Sequence, residues 1–380
     1  MVKKRRRDFM KKVANIIRNS RPGFYLLVVL VAGLLLSPAP TDIYPSLHAR
    51  SATRSPQAAE SEARWVPLKI IDTNKMDWVE NPSFGAKSKF LYYPEGRGGP
   101  RLLLNTRGPG LSSDLTEAHY HTFHEWFFLL EGDSLIYEFV RPDQKKGTLV
   151  HMKAGTWMER PAYSIHGISI HGMGIHGMRE DAMVRQRIPP GATSLIFTEG
   201  GGQSPDGKYI PRKTIAFDPK STWYDPQSKE VKQFTFANFL DTASTEFMEW
   251  ESDRELPGAS VKWLSDNQLM GFRARLRFAP SGWTYPKAPE KSYYRQANRF
   301  VYVIYGDMNI WTYDSPSSPG TKVVAKKDFF IHQAPMSIWG YGEGPVTESG
   351  CMWLEVTYAK GASIGGGPIE EPILLVPGKE

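Results

Sequence analysis

His119, His121 and Glu125 fall within one seven-residue stretch, His119-Tyr120-His121-Thr122-Phe123-His124-Glu125. Side chains alternate faces along a strand, so His119 and His121 point the same way and can converge on one ion. Glu125 shares their parity and can return from the next stretch as a carboxylate ligand. Seven of the nine histidines lie between residues 119 and 176, so a more distant imidazole is at hand to complete the set. Nitrogen and carboxylate donors together suit Fe, Mn, Ni, Cu or Zn rather than Ca or Mg. One divalent transition-metal ion with open positions could bind an oxygenated substrate beside O2, or polarise a carbonyl for isomerisation or decarboxylation. In both uses Glu125 is the candidate catalytic base, should it swing off the ion.

The elements that must position these residues are written twice. Gly85-Ala86-x-x-Lys89-Phe90-Leu91 recurs as Gly258-Ala259-x-x-Lys262-Trp263-Leu264, and Gly132-Asp133 as Gly306-Asp307. Gly147-Thr148 recurs as Gly320-Thr321, and Ser164-Ile165-His166-Gly167 as Ser337-Ile338-Trp339-Gly340. The matches keep their order at an offset of 173 or 174 residues. That period is too long for a solenoid and implies two homologous domains. Both halves are β-rich. Trp126–Leu130 and Ser134–Val140, split by Glu131-Gly132-Asp133, read as a hairpin, as do Phe300–Tyr305 and Met308–Tyr313 around Gly306-Asp307. Turn clusters such as Arg107-Gly108-Pro109-Gly110 separate further strands, and no stretch of the body carries a long amphipathic helical pattern. The expectation is an all-β chain of antiparallel sandwiches or small barrels.

With these residues in view, the chain resembles the cupin superfamily. His119-x-His121-x3-Glu125-x6-Gly132 matches that family's first motif, and Pro161-Ala162-Tyr163-Ser164-Ile165-His166 is similar to its second. Tyr163 stands where the family usually carries Gly. The resemblance implies tandem cupin-type antiparallel β-barrels (double-stranded β-helix, or jelly roll), a bicupin. It implies His119, His121, Glu125 and His166 around one mononuclear metal. His171 and His176 follow His166 at steps of five, and His176, which regains its parity, is the rival for the fourth position. His124 has the opposite parity and reads as an outward or supporting residue, and His151 as structural. Counted back from Gly306, the ligand positions of the second half hold Tyr293, Arg295 and Arg299, with Trp339 in place of His166. Guanidiniums there would repel a cation, so the second domain is expected to be degenerate and metal-free.

The formal charge of +7 is not spread over the chain. Residues 1–23 hold nine basic groups and one acid, which leaves the remainder at −1. So near-neutral a body excludes a phosphate-backbone footprint, and no nucleic-acid partner is expected. The basic stretch precedes Phe24–Leu36, an apolar run of 13. A spanning helix wants roughly 20 apolar residues and a signal-peptide core about 7–15. Residues 1–36 are therefore expected to act as a signal or membrane anchor, with the globular part outside the cytoplasm. Arg6-Arg7-Asp8-Phe9-Met10-Lys11 resembles the twin-arginine export signal. Residues 37–64, rich in Pro, Ala and Ser, read as a linker. The metal-binding domain is expected over 65–238 and the degenerate one over 239–380. Cys351 is the single cysteine, which excludes an intramolecular disulfide and a thiolate-rich zinc site.

The resulting expectation is a metal-dependent small-molecule oxidoreductase, dioxygenase-like, compatible with homo-oligomer formation. Its membrane contact would be limited to the amino-terminal segment. The aromatic neighbours Phe123, Trp126, Phe127, Phe128, Tyr137 and Tyr163 would suit a flat or apolar substrate. The alternatives are a cupin isomerase or decarboxylase, and a non-catalytic zinc-holding sensor or binding module.

Overall fold

Short runs rich in β-branched and aromatic residues become strands, such as Ala192–Thr198 (ATSLIFT), which is covered on both faces, with Ser194, Leu195, Phe197 and Thr198 buried. The computed structural model describes residues 64–81, 86–93, 100–108, 118–141, 144, 147–167, 191–199, 201–203, 209–211, 213–216, 224–225, 241–267, 271–287, 290–359, 369 and 371–375. The expected signal or anchor, the linker, the 238/239 domain boundary, His171 and His176 lie outside them. Among the described residues there is no α-helix, and none long and apolar enough to cross a membrane.

Two large antiparallel sheets form, one per repeat. In the first, Glu125–Phe139 is the central strand, flanked by Ala192–Thr198, Thr156–Arg160, Thr148–Lys153 and Ile165–Gly167. Ala297–Tyr313 takes the same place in the second. The hairpins expected at Gly132 and Gly306 are not hairpins: each long strand runs straight through its glycine and changes partners there. The glycines serve a close approach. Both have positive φ (76° and 77°), and a Cβ would run into the carbonyl of Gly191 or of Gly350. A left-handed residue with a neighbouring bulge bends the strand from one face of its barrel to the other.

Each repeat donates its first strand to the other. Lys69–Asp72 pairs with Phe329–Gln333, and Asp241–Ser244 pairs with Thr156–Arg160. A 3-10 turn follows each donated strand, and its threonine locks it: Thr73 Oγ1 donates to Asp328 O and Thr245 Oγ1 to Gly155 O, both at 2.7 Å. The repeated Gly-Ala-x-x-Lys motif completes the device. Lys89 Nζ donates to Thr73 O at 2.8 Å and lies over Trp78. Lys262 Nζ donates to Thr245 O at 2.7 Å and lies over Trp250. Between the barrels one apolar core gathers Trp126, Trp157 and Phe197 from the first with Phe272, Phe300 and Tyr358 from the second. Truncating any of these buried rings should cost ~3–5 kcal/mol.

The barrel interiors diverge where the registers superpose. Leu103, Asn105 and Ile196 face the first interior, and the matching registers place Arg275, Arg277 and Glu355 in the second. Glu355 accepts from Arg275, Arg277 and Arg299. Burial would raise its pKa, yet the three guanidiniums outweigh burial and hold it well below the usual carboxylate range. A charge network thus fills the second barrel, while the first keeps a cavity of about 150 Å³.

Candidate metal centre

His119 and His121 sit on the three-residue strand His119–His121, and His166 on Ile165–Gly167, which pairs with it directly, His119 opposite His166. Strand parity turns both first-strand imidazoles inward. The three rings lie with centroids 5.1, 4.3 and 4.9 Å apart, and one nitrogen from each falls within 4.8 Å of the others. Modest side-chain rotation closes that spread to the ~2.1 Å bond length of a metal–imidazole centre. His119 and His166 are buried and His121 nearly so.

The turn before His166 is left-handed at the position where the resemblance leads one to expect glycine: Tyr163 has φ 68°, and its counterpart Met336 has φ 65°. The backbone conformation is therefore kept although the residue is not. Ring contact with Tyr120, at 5.8 Å, helps to hold it.

The tautomer of His166 follows from its partners. Nδ1–H donates to Ser164 O at 3.1 Å, which leaves the Nε2 lone pair directed into the barrel. Burial, then the charge of Arg160 and the neighbouring imidazoles of His119 and His121, push its pKa well below the usual value, so the ring is neutral. A neutral, oriented, buried imidazole is a metal donor, and the donor set fits a first-row transition ion.

Glu125 stands at the edge of this group. Its Oε2 is 3.0 Å from His121 Nδ1 and 3.4 Å from Arg160 Nη1. The close group among the described residues is the three histidines; Glu125 touches it through His121.

Two residues went unnoticed in the spacing of the histidines. Arg160 Nη1 donates to His166 Nε2 at 3.1 Å. Arg101 Nε donates to Thr198 Oγ1 at 3.2 Å and lines the same cavity. The alternation Arg101-x-Leu103-x-Asn105-x-Arg107 was the available signal, because every second residue of that strand faces inward.

The expected aromatic surroundings divide. Phe123 and Phe127 line the cavity, and Phe123 stacks on His121 at 4.6 Å. Trp126 and Phe128 turn instead into the core between the barrels, while Tyr137 and Tyr163 join a cluster around Tyr120. His124 points away from the cavity but not to solvent. It is buried between Glu159 (3.1 Å) and Glu199 (3.8 Å). Burial opposes its charge, but the two carboxylates outweigh burial and raise its pKa to about 10. His151 is at the surface beside Asp133.

In the second barrel, pairing corrects the count back from Gly306. Ser292 lies opposite Trp339, as His119 lies opposite His166. Ser292 and Tyr294, not Tyr293 and Arg295, therefore stand where His119 and His121 do. One extra residue between Tyr294 and Arg299 causes the slip. Arg299 does match Glu125: it pairs with Gln333 and Thr357 as Glu125 pairs with Arg160 and Thr198.

No protein-family model matches the sequence, and no curated protein matches it. Among solved structures, the chain is similar to a candidate dioxygenase from Nostoc punctiforme (12% identity, TM-score 0.48, covering 80% of this chain and 87% of that one). It is similar to oxalate decarboxylase from Bacillus subtilis (12%, TM-score 0.47, 82% and 79%). It is also similar to protein Ylba from E. coli (9%, TM-score 0.43, 80% and 97%). The duplicated antiparallel barrels, with a motif-spaced histidine triad in the first, are the architecture that the resemblance to the cupin superfamily leads one to expect.

Proposed function

We propose that the protein is a metal-dependent small-molecule oxidoreductase, dioxygenase-like, with one mononuclear site in its first barrel. The observation that carries this reading is the convergence of His119, His121 and His166 on one buried point. These three would hold the ion, with Glu125 as the fourth donor. A redox-active ion bound there would supply one-electron chemistry toward O2 and an oxygenated substrate. The protein's own groups do the rest. Ser164 O holds the His166 ring in a single tautomer. Glu125, next to His121 and Arg160, would accept a proton from substrate when it swings off the ion.

In this reading the second barrel, filled by the Glu355 network, supports the first and carries no ion. The division into domains 65–238 and 239–380 belongs to the same proposal. So does a location outside the cytoplasm, which rests on the sequence of residues 1–36.

The second reading, a decarboxylase or isomerase, is favoured by one contact: the guanidinium of Arg160 on His166 is suited to hold a carboxylate. Native protein should contain one transition-metal ion per chain and consume O2 with a small oxygenated substrate. Release of CO2 without O2 uptake selects the second reading. Zinc alone, with no turnover under either condition, overturns both in favour of a binding module.

A further inference from the structure

Four side chains form a row across four adjacent strands of the first barrel. Arg101 lies opposite Thr198, Thr198 opposite Glu125, and Glu125 opposite Arg160. All four line the cavity that holds the histidine triad. Neighbouring strands are ~4.8 Å apart, so the two arginines start about 14 Å from each other and both reach inward around Glu125. With Arg107 farther along the same strand, three guanidiniums line the cavity against one carboxylate among its described lining residues.

Positive charge in such excess, with Arg160 buried and Arg101 and Arg107 half-buried, is costly unless an anion joins it. Arg160 is not exhausted by its present partners. Arg160 is buried, and its Nε has no hydrogen-bond partner among the described residues. The contact on His166 is to an imidazole nitrogen, not to a carboxylate, and provides no counter-charge. Burial lowers the pKa of Arg101, with Glu125 and Tyr93 opposing, which marks its guanidinium as a partly desolvated cation.

The rest of the cavity limits what such an anion can be. Its volume of about 150 Å³ accepts a body the size of a benzene ring. Leu103, Phe127, Leu129 and Ile196 line it beyond the charged row. Inorganic phosphate would leave that apolar wall unused.

We infer that the ligand of this site is a small organic carboxylate, its planar head clamped between Arg101 and Arg160 next to the histidine triad and its apolar body against Leu103 and Phe127. Guanidinium forks match a carboxylate in two parallel hydrogen bonds, which a neutral amide cannot reproduce. As a substrate class this rests on the proposed oxidoreductase reading; as a binding site it does not.

The test is calorimetric titration of the full chain, metal-loaded and chelator-treated, with acetate, butyrate and benzoate, each beside its amide, and with inorganic phosphate. At least one acid should bind tenfold or more tightly than its amide. R101Q and R160Q should each weaken that acid by tenfold or more while leaving the amide unchanged. R101K, which keeps the charge but loses the fork, should fall between, and thermal denaturation without ligand identifies any variant that is merely unfolded. Equal binding of every acid and its amide, or phosphate binding as tightly as the best acid, overturns the inference. Selective acid binding without O2 uptake by the loaded protein removes the oxidoreductase reading and leaves the site. O2 uptake with neutral substrates alone does the reverse.

Discussion

Arg160 Nη1 stands 3.1 Å from His166 Nε2, the nitrogen that the Ser164 hydrogen bond turns inward, and 3.4 Å from Glu125 Oε2. A guanidinium and a metal ion therefore compete for the same lone pair. Removing the guanidinium should favour the metal, since a unit charge about 4 Å away is worth ~4 kcal/mol at an effective dielectric of 20. Arg160→Gln is expected to hold its ion at least tenfold more tightly in competition with a chelator. Unchanged or weaker retention would mean that Arg160 moves away on loading.

The triad itself makes a simpler prediction. His119→Ala and His166→Ala should each reduce the metal content from one ion per chain to a small fraction and abolish turnover, while His151→Ala changes neither. Elemental analysis of natively purified protein decides it. Two ions per chain would assign a site to the second barrel and sink the division of labour.

Glu355 is buried with Arg275, Arg277 and Arg299 around it. Glu355→Gln leaves those guanidiniums short of their shared counter-charge and should cost about 3–5 kcal/mol, read as a shift in denaturation midpoint. The carboxylate's folded pKa lies below its unfolded one. Its stabilising contribution is thus complete above the ordinary carboxylate range, near pH 4–5, and declines as pH falls toward the folded value. The variant should be less sensitive than wild type to acid in that window.

His332 pairs across the donated strand with Lys69. Its Nε2–H donates to Asn298 Oδ1 at 2.8 Å, and burial, aided by the charge of Lys69, lowers its pKa to about 4. Between the ordinary histidine value near pH 6.5 and that point, the unfolded chain takes up a proton that the folded chain refuses. Stability should therefore fall by about 2 kcal/mol as pH drops from 6.5 to 4. Thermal unfolding of His332→Gln across this range should show a smaller decline; an equal decline would place the loss elsewhere.

Gly306→Ala should destabilise the chain by more than ~2 kcal/mol, through positive φ and the approach of the Gly350 carbonyl. Gly282→Ala, also at positive φ but with open space around its Cβ position, should cost clearly less. Equal costs by chemical denaturation would show that conformation, not contact, sets the penalty.

Much of the architecture was legible in linear order. Alternation and turn residues indicated strands, the 173-residue offset indicated duplication, and parity put His119 and His121 on one face, while His166 entered through the resemblance to the cupin motifs. These signals are local, or repeat at fixed distance, so pattern alone carries them. The hairpin expected at Gly132 was misread because a glycine flanked by β runs reads alike whether the strand turns back or bends onward. What distinguishes the two is the carbonyl of Gly191, nearly sixty residues away. Likewise, back-counting could not detect the extra residue before Arg299, which only the pairing of Ser292 with Trp339 reveals.

The chain by itself determined the residue types, their facing parity and the duplication, because these follow from covalent order and the two-residue period of a strand. Only the tertiary structure decided that each barrel borrows a strand from the other, that Arg160 and Arg101 flank the histidine centre, and that one interior stays open while its twin fills with ion pairs. Those outcomes depend on which distant strands hydrogen-bond and in what register. Register is a property of the closed sheet and not of any segment within it.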